Sequence, residues 1–204
     1  MRILITLTGP TASGKTELLK ELVKNQAFQK LVSVTTRPKR PGEIEGTDYY
    51  FISEDEFQKL KADNQLVQSV NFGGNNYATT KAEIDKVFGT NKVPVVIVEP
   101  SGIGQFQCLE HELDYMVYPV YISGPYEVLE MRYVKRLDGR SLTEYDNARL
   151  AEIKNEVETW PDQAHYVTHI NNPSAVKEDL TWIAENLVKE VNEFINYREG
   201  TDVS

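Results

Sequence analysis

The chain has 204 residues, 40% of them hydrophobic and 26% charged, which suits one globular core with room for small inserted bodies. A formal net charge of −9 disfavours nucleic acid or an acidic membrane surface as partner, so an anionic ligand has to be drawn in by a local cluster of cations. The single cysteine, Cys108, excludes an intrachain disulfide, no apolar run approaches the roughly 18 residues of a membrane span, and the N-terminus enters an apolar stretch directly, so a cytoplasmic protein is expected.

The run Ile3, Leu4, Ile5, Thr6, Leu7 predicts a buried strand, and Leu18, Leu19, Leu22 and Val23 follow at helical spacing. Between them Gly9, Pro10, Thr11, Ala12, Ser13, Gly14, Lys15 and Thr16 fit the pattern G-x-x-x-x-G-K-[ST]. Glycines in such a loop let several backbone N–H groups converge on one phosphate at a helix N-terminus, whose dipole already favours an anion. Lys15 would reach the outer phosphates and the Thr16 hydroxyl would serve Mg²⁺. A nucleoside triphosphate site is therefore expected at the first turn of the chain.

The first helix is expected to end near Asn25, and Leu31, Val32, Ser33 and Val34 read as a second strand. Arg37, Lys39 and Arg40 come next, interrupted by Pro38, closed by Pro41 and followed by Gly42, Gly46 and the aromatic run Tyr49, Tyr50, Phe51. The prolines keep Arg37 and Arg40 out of a helix, so the two guanidinium groups project from a stiff loop and suit bidentate capture of a phosphate.

Residues 33–51 resemble the guanylate kinase pattern S-x-x-T-R-x-x-R-x-G-E-x-x-G-x-D-Y-x-F, and the resemblance extends from the phosphate loop to about Asn172. It implies a P-loop α/β kinase with a mostly parallel sheet, carrying a nucleoside monophosphate-binding subdomain (33–83) and a lid (133–149) inserted into a core of 1–32, 84–132 and 150–204. It also implies ATP and Mg²⁺ as donor system, with Gly9, Thr11, Ala12, Ser13, Gly14, Lys15 and Thr16 around the ATP phosphates. Arg37, Arg40 and Tyr49 would hold the monophosphate, and Ser33 would lie near the base. A monomer or homodimer without nucleic-acid or membrane partners goes with that reading.

Further along, Ser53 with Glu56 and Thr80 with Glu83 form capping boxes for two helices, the second closed by Gly89. Between them 66–72 alternates as a strand and turns back at Gly73 and Gly74. Asn75, Asn76, Tyr77, Ala78 and Thr79 resemble the family's G-N-x-Y-G-[ST]; by that match Tyr77 joins the phosphate cluster and Thr79 offers a hydroxyl to the base. Val95, Val96, Ile97 and Val98 predict a buried parallel strand ending in Glu99, a carboxylate that suits Mg²⁺, a substrate group or Lys15 alike.

Residues 116–122 predict another strand, Gly124 and Pro125 start a helix carrying Arg132 and Arg136, and Ser141 with Glu144 is expected to cap a long helix through Arg149 and Trp160. By resemblance Arg132, Arg136 and Arg149 close over the transferring phosphoryl group, and Arg140 is a weaker candidate. Residues 165–171 read as the last strand; His165 and His169 would share a face of it without a third metal ligand, and Asn171, from the family's [VI]-x-N-[DN], would approach the adenine of ATP. Asn172, Pro173 and Ser174 would open a closing helix whose polar end frays after Tyr197.

The base site departs from the family. Guanylate kinases typically carry glutamate where Gln68 stands and Asp-x-Asp where Ile97, Val98 and Glu99 stand. A carboxylate accepts from guanine N1–H and N2–H₂ together, whereas Gln68 offers one acceptor and one donor site and can pair with O6 and N1–H of guanine or with N1 and N6–H₂ of adenine. GMP or dGMP is the expected acceptor, with another purine monophosphate or a sugar phosphate as alternatives. A non-catalytic binding domain of the same lineage would typically lack the phosphate loop that stands here.

Overall fold

In the computed structural model, which describes residues 2–172 and 177–201, β1 (Ile3–Thr8) is buried along its whole length. The chain continues through α1 (Lys15–Leu22), β2 (Phe28–Lys30), β3 (Val34–Thr35), β4 (Tyr50–Phe51), α2 (Glu54–Ala62), β5 (Leu66–Phe72), β6 (Asn75–Thr80), α3 (Lys81–Phe88) and β7 (Val93–Ile97). It closes with α4 (Pro100–Gln107), α5 (Glu110–Leu113), β8 (Met116–Ser123), α6 (Tyr126–Lys135), α7 (Glu144–Gln163), β9 (Thr168–Asn171) and α8 (Lys177–Thr201).

Five strands form a parallel sheet in the order β2-β7-β1-β8-β9. The period of two along β1 sends Ile3, Ile5 and Leu7 to one face, where Leu18, Leu19 and Leu22 of α1 and Ala184, Leu187 and Val191 of α8 cover them. Leu4 faces the other way, into a core with Ile84, Val87, Ile103 and Phe106. Both faces are thus covered, as an all-parallel sheet requires. The C-terminal ends of β1, β7, β8 and β9 then lie side by side, and the segments that leave them are the phosphate loop, Glu99, Gly124 and Asn172.

The other four strands form a mixed sheet, β4-β3-β6-β5, with its own small core of Val34, Phe57 and Ala78. Helix α2 lies over that core through Phe57 and starts at a capping box: the Ser53 hydroxyl accepts from Glu56 N at 3.2 Å while Glu56 Oε2 accepts from Ser53 N at 2.7 Å. A last cluster joins Ala12 of the phosphate loop to Leu129 of α6 and to Leu150 and Ile153 of α7.

Several local expectations are corrected. The apolar run 31–34 is not one strand: Leu31 N still bonds Val95 O of the parallel sheet, Val32 N bonds Glu83 Oε1, and Val34 already belongs to the mixed sheet, so the run is divided between two bodies. Thr80 does cap α3, but the Glu83 carboxylate accepts from Val32 N and the Tyr50 hydroxyl instead of closing a capping box. Gly89 ends that helix with an ordinary right-handed φ of −62°.

Helix α7 is capped by Thr143 with Asp146, two residues beyond the expected Ser141 and Glu144, because Asp146 accepts from Thr143 N at 2.9 Å and is held there by Arg140. Strand β9 begins only at Thr168, which leaves His165 outside it. Strand β2 and helices α4 and α5 were not anticipated; Gly102 and Gly104 lower the helix propensity of α4, and burial of Ile103 and Phe106 overrides it. Helix α8 runs to Thr201, past Tyr197, and the expected helix start at Pro173 and Ser174 lies outside the described residues.

Because Phe57 is the one large side chain fully buried in the small core, Phe57→Ala should cost about 3–5 kcal/mol of local stability. Hydrogen exchange should then accelerate in β3, β5 and β6 while β1 and β8 keep their protection. Uniform loss of protection in both sheets would show that the mixed sheet has no separate core.

Candidate active site

The loop after β1 is shaped by close approaches. A Cβ on Gly9, whose φ is +151°, would sit 2.0 Å from the carbonyl oxygen of Ile122, and one on Gly14, with φ +107°, would sit 2.6 Å from Asn172 Nδ2. No side chain fits at either place, so both glycines are required by the path of the loop. Ala12 takes a left-handed φ of 65°, Ser13 N donates to Pro10 O at 3.1 Å, and α1 begins directly behind the loop. The Ser13 hydroxyl is buried without a hydrogen-bond partner.

Lys15 folds back over this loop and donates to the carbonyls of Gly9 (2.6 Å) and Pro10 (2.8 Å). Burial pushes its ammonium down to about 8; the Glu156 charge opposes that shift, Arg136 and Arg149 reinforce it, and Glu99 opposes it more weakly. A cation is thereby held out of water in a place where only further anions can relieve it.

Lys15 opens onto a cavity of about 520 Å³ between the two sheets. Thr11, Glu99, Arg149 and Glu156 line it on the side of the parallel sheet; Ser33, Arg37, Arg40, Glu43, Tyr49, Gln68 and Tyr77 line it on the side of the mixed sheet. The stiffness expected of the 37–43 loop has a specific source. Glu43 accepts from Arg37 Nη2 (2.6 Å) and from Arg40 N (2.7 Å), and Arg37 N donates to Thr35 Oγ1 (3.2 Å). Arg37 also lies over the rings of Tyr49 and Phe51 at 5.7 and 5.8 Å, and Tyr49 meets Tyr77 edge-on at 5.8 Å. The Glu43 bond raises the Arg37 pKa, and burial raises that of Tyr49, so both stay protonated donors.

Gln68 faces the same cavity from β5, beside the irregularity between Leu66 and Gln68 in its pairing with β6. Opposite it in register stands Thr79, wholly buried, whose hydroxyl has no hydrogen-bond partner. Thr16 is exposed on α1 and lines a neighbouring cleft of about 470 Å³ shared with Ser33 and Tyr49.

The arginines expected to act together are divided. Arg132 donates to the carbonyls of Ala12 (3.3 Å) and Asn172 (3.0 Å), behind the phosphate loop, and shares with Arg136 a second cavity of about 320 Å³. Arg149 reaches the main cavity and donates to Thr11 Oγ1 at 2.5 Å, with Glu152 as a second partner. Arg140 is committed elsewhere: with Thr143 it clasps Asp146, and these bonds hold that carboxyl well below the usual range.

Asn171 and Asn172 are placed differently. Asn171 lies exposed at the end of β9 beside a groove with Trp182, whereas Asn172 is buried, lines the second cavity and donates to Ser13 O at 2.8 Å. Three residues that line these cavities were given no site role in the sequence reading. Glu43 stood inside the quoted pattern without a role, Asn172 is one position from the residue chosen, and Glu156 lies two helical turns from Arg149 on the same face of α7.

A lysine-bearing phosphate loop at the C-terminal end of a central parallel strand, facing a mixed sheet across an arginine-lined cavity, is the P-loop kinase fold. The family model for guanylate kinase matches residues 1–189. A guanylate kinase of Lactobacillus johnsonii is 38% identical over 109 residues, 52% of this chain and 53% of that protein, so the chain spans about half the length of that relative in the match. One from a Nostoc species is 34% identical over 157 residues, 76% of each. The crystal structure of guanylate kinase from Anaplasma phagocytophilum superposes with a TM-score of 0.63 over 93% of this chain and 85% of that one; at 22% identity it supports the fold. The chain belongs to the guanylate kinase family.

Lys15 titrates at about 8 when folded and near the ordinary 10.5 when unfolded, so the unfolded chain holds the extra proton between those values and the lysine's contribution to stability rises with pH there. Anion binding works the other way, because it restores the cation. Pyrophosphate binding at pH 8.5 should therefore take up protons, visible as a dependence of calorimetric enthalpy on the buffer's ionisation heat, and Lys15→Met should abolish the uptake. Uptake that persists in the variant would assign the proton to another group.

Proposed function

We propose that this protein transfers the γ-phosphoryl group of Mg²⁺-ATP to a nucleoside monophosphate, with GMP as preferred acceptor. One observation carries the reading: a single cavity is lined by the phosphate-loop lysine from one sheet and by the Arg37–Glu43 loop from the other. Donor and acceptor phosphates then meet between two sets of cations, each mounted on its own core.

Phosphoryl transfer asks little covalent chemistry of a protein, so catalysis is positioning plus stabilisation of charge on the phosphate oxygens. The acceptor phosphate is already ionised and needs no general base. Amides of Gly9, Ala12, Ser13, Gly14, Lys15 and Thr16 would cradle the donor phosphates, Thr11 would flank them with its own amide taken up by Glu156, and the orphaned Ser13 hydroxyl is a further donor within that loop. Lys15 and Arg149 would face the transferring group, and Arg136 would be brought to it as the lid closes. Arg132 braces the loop from behind, and Asn172 with it, in keeping with a donor base near the second cavity. On the acceptor side Arg37, Arg40, Tyr49 and Tyr77 would take the phosphate, with Ser33, Gln68, Glu99 and the Thr79 hydroxyl around the base.

The donor set suits Mg²⁺. Thr16 and Glu99 offer hard oxygens, and no group of three or more His, Cys, Asp or Glu that could hold a metal occurs among the described residues, which fits an ion bound mostly by phosphates and water. When bound with ATP, Mg²⁺ supplies positive charge to the outer phosphates. Residues 33–83 act as the gripping body, 133–149 as the lid and the remainder as the core, so closure excludes water as a competing acceptor. The net charge of −9 speaks against a nucleic-acid partner, and no helix among the described residues is long and apolar enough to cross a membrane.

Cations that meet the acceptor phosphate in the ground state affect its binding, whereas cations that meet the transferring group, Arg136 after closure and Arg149 already held at Thr11, affect turnover. Arg37→Ala and Arg40→Ala should raise KM for the acceptor at least about 10-fold with a smaller effect on kcat, whereas Arg136→Ala and Arg149→Ala should lower kcat about 100-fold. Steady-state kinetics with the reverse pattern would dissolve the division into grip and lid.

Base selectivity turns on Gln68, which presents one acceptor and one donor site to the purine edge where a carboxylate would present only acceptors. A site that pairs every donor rejects a mismatched base by about 10⁴ or more, and losing one such contact gives back much of that. A coupled assay across GMP, dGMP, AMP, dAMP and pyrimidine monophosphates should show GMP preferred with reduced discrimination against adenine, and Gln68→Glu should sharpen it. Strict guanine selectivity unchanged by that substitution would refute this role for Gln68; a wild type inactive on every monophosphate, or a Lys15→Ala variant with undiminished turnover, would refute the function.

A further inference from the structure

Glu156 is a carboxylate in a place that should repel carboxylates. It is 7% exposed, lines the main cavity beside Lys15 and Arg149, and so stands where donor and acceptor phosphates are to be gathered. Its oxygens are nevertheless well used. Oε2 accepts from the Thr11 backbone N–H at 2.6 Å, while Oε1 accepts from the Thr11 hydroxyl at 3.4 Å and lies 3.6 Å from Arg149 Nη2. Arg149 Nη2 in turn donates to the Thr11 hydroxyl at 2.5 Å, which closes a three-membered ring of carboxylate, hydroxyl and guanidinium.

The sequence builds this ring economically. Leu150 and Ile153 press α7 against Ala12 of the phosphate loop, and Arg149 and Glu156, seven residues apart, fall on one side of that contact. Packing alone would be served by an apolar residue, since a buried carboxylate is costly unless its lone pairs are filled. Here they are filled by the phosphate loop and by the arginine aimed at the transferring group.

We propose that Glu156 is a positioning residue for phosphoryl transfer, which locks Arg149 to the Thr11 end of the phosphate loop before the substrates arrive. The role rests on the kinase reading above. Held by Glu156, Arg149 cannot swing out with the lid, and the loop amide of Thr11 keeps its direction. The same carboxylate also sustains the charge on Lys15: Arg136 and Arg149 both disfavour that cation, and of the two carboxylates that favour it Glu156 acts more strongly than Glu99.

The test compares wild type with Glu156→Gln, Glu156→Ala and Glu156→Asp. Removing the charge should lower kcat by about 10- to 100-fold, comparable to losing a preorganised transition-state contact, while GMP affinity measured by calorimetry stays within about twofold because the Arg37–Glu43 grip is untouched. In Glu156→Gln the alkaline limb of kcat/KM for ATP, which reports the free enzyme, should move to lower pH, because Lys15 loses its stronger counter-charge. Glu156→Asp should recover part of kcat, since it keeps the charge at a shorter reach. Three results would each overturn the proposal: turnover of Glu156→Gln within about threefold of wild type, a loss of turnover with the alkaline limb unmoved, or a parallel collapse of GMP affinity that marks a folding defect. A wild type without turnover on any monophosphate faults the kinase reading itself, and this role falls with it.

Discussion

Taking one ammonium group out of water organises the site. Lys15 is held by two carbonyls of its own loop, against desolvation and against two arginines, with the Glu156 carboxylate as the largest opposing charge. Such a group is uncomfortable in the free protein and comfortable beside a polyphosphate, so ligand charge is favoured before any specific contact is counted. The tight course of the loop follows from the same need. Only with Gly9 against Ile122 and Gly14 against Asn172 can the backbone fold closely enough for its own carbonyls to hold the lysine.

The mixed sheet answers this with cations that are themselves pinned. Glu43 takes up one nitrogen of Arg37 and the backbone of Arg40, and the tyrosine rings flank the Arg37 guanidinium. Rotamer freedom is spent during folding, and little remains to be lost on binding. The clasp of Arg140 on Asp146 does the same for the start of α7, which removes Arg140 from the group of arginines available to a phosphate.

Much of this was legible in the residues. The phosphate loop, its strand and its helix are local features in which spacing, glycine conformation and chemistry agree, and the Arg37–Phe51 stretch carries its own prolines and aromatics. What escaped was long-range. Nothing in the run 31–34 reveals that its halves belong to different sheets, because both halves are apolar and extended; the division is imposed by Glu83, fifty residues on. That Asn171 is exposed and Asn172 buried was not legible either, because the register of β9 comes from its pairing with β8. Helix α4 was hidden by two glycines and revealed only by what covers it. Glu156 carries no local signal in the sequence, because the loop it holds is 145 residues away in the chain.

Glu83 also bears on the loop that separates β1 from β7. By accepting from Val32 N and from the Tyr50 hydroxyl, it fastens the point where the chain leaves the parallel sheet to the point where it returns. Central strand β1 must find β7 across everything inserted between them, a loop whose closure entropy would otherwise grow with every inserted residue. Once the mixed sheet has collapsed on Phe57 and Glu83 has tied its two stems together, that loop is effectively a short one. A loop tied in this way closes at the entropy cost of a shorter one, so a carboxylate that completes no capping box reduces the effective separation of a long-range strand pair.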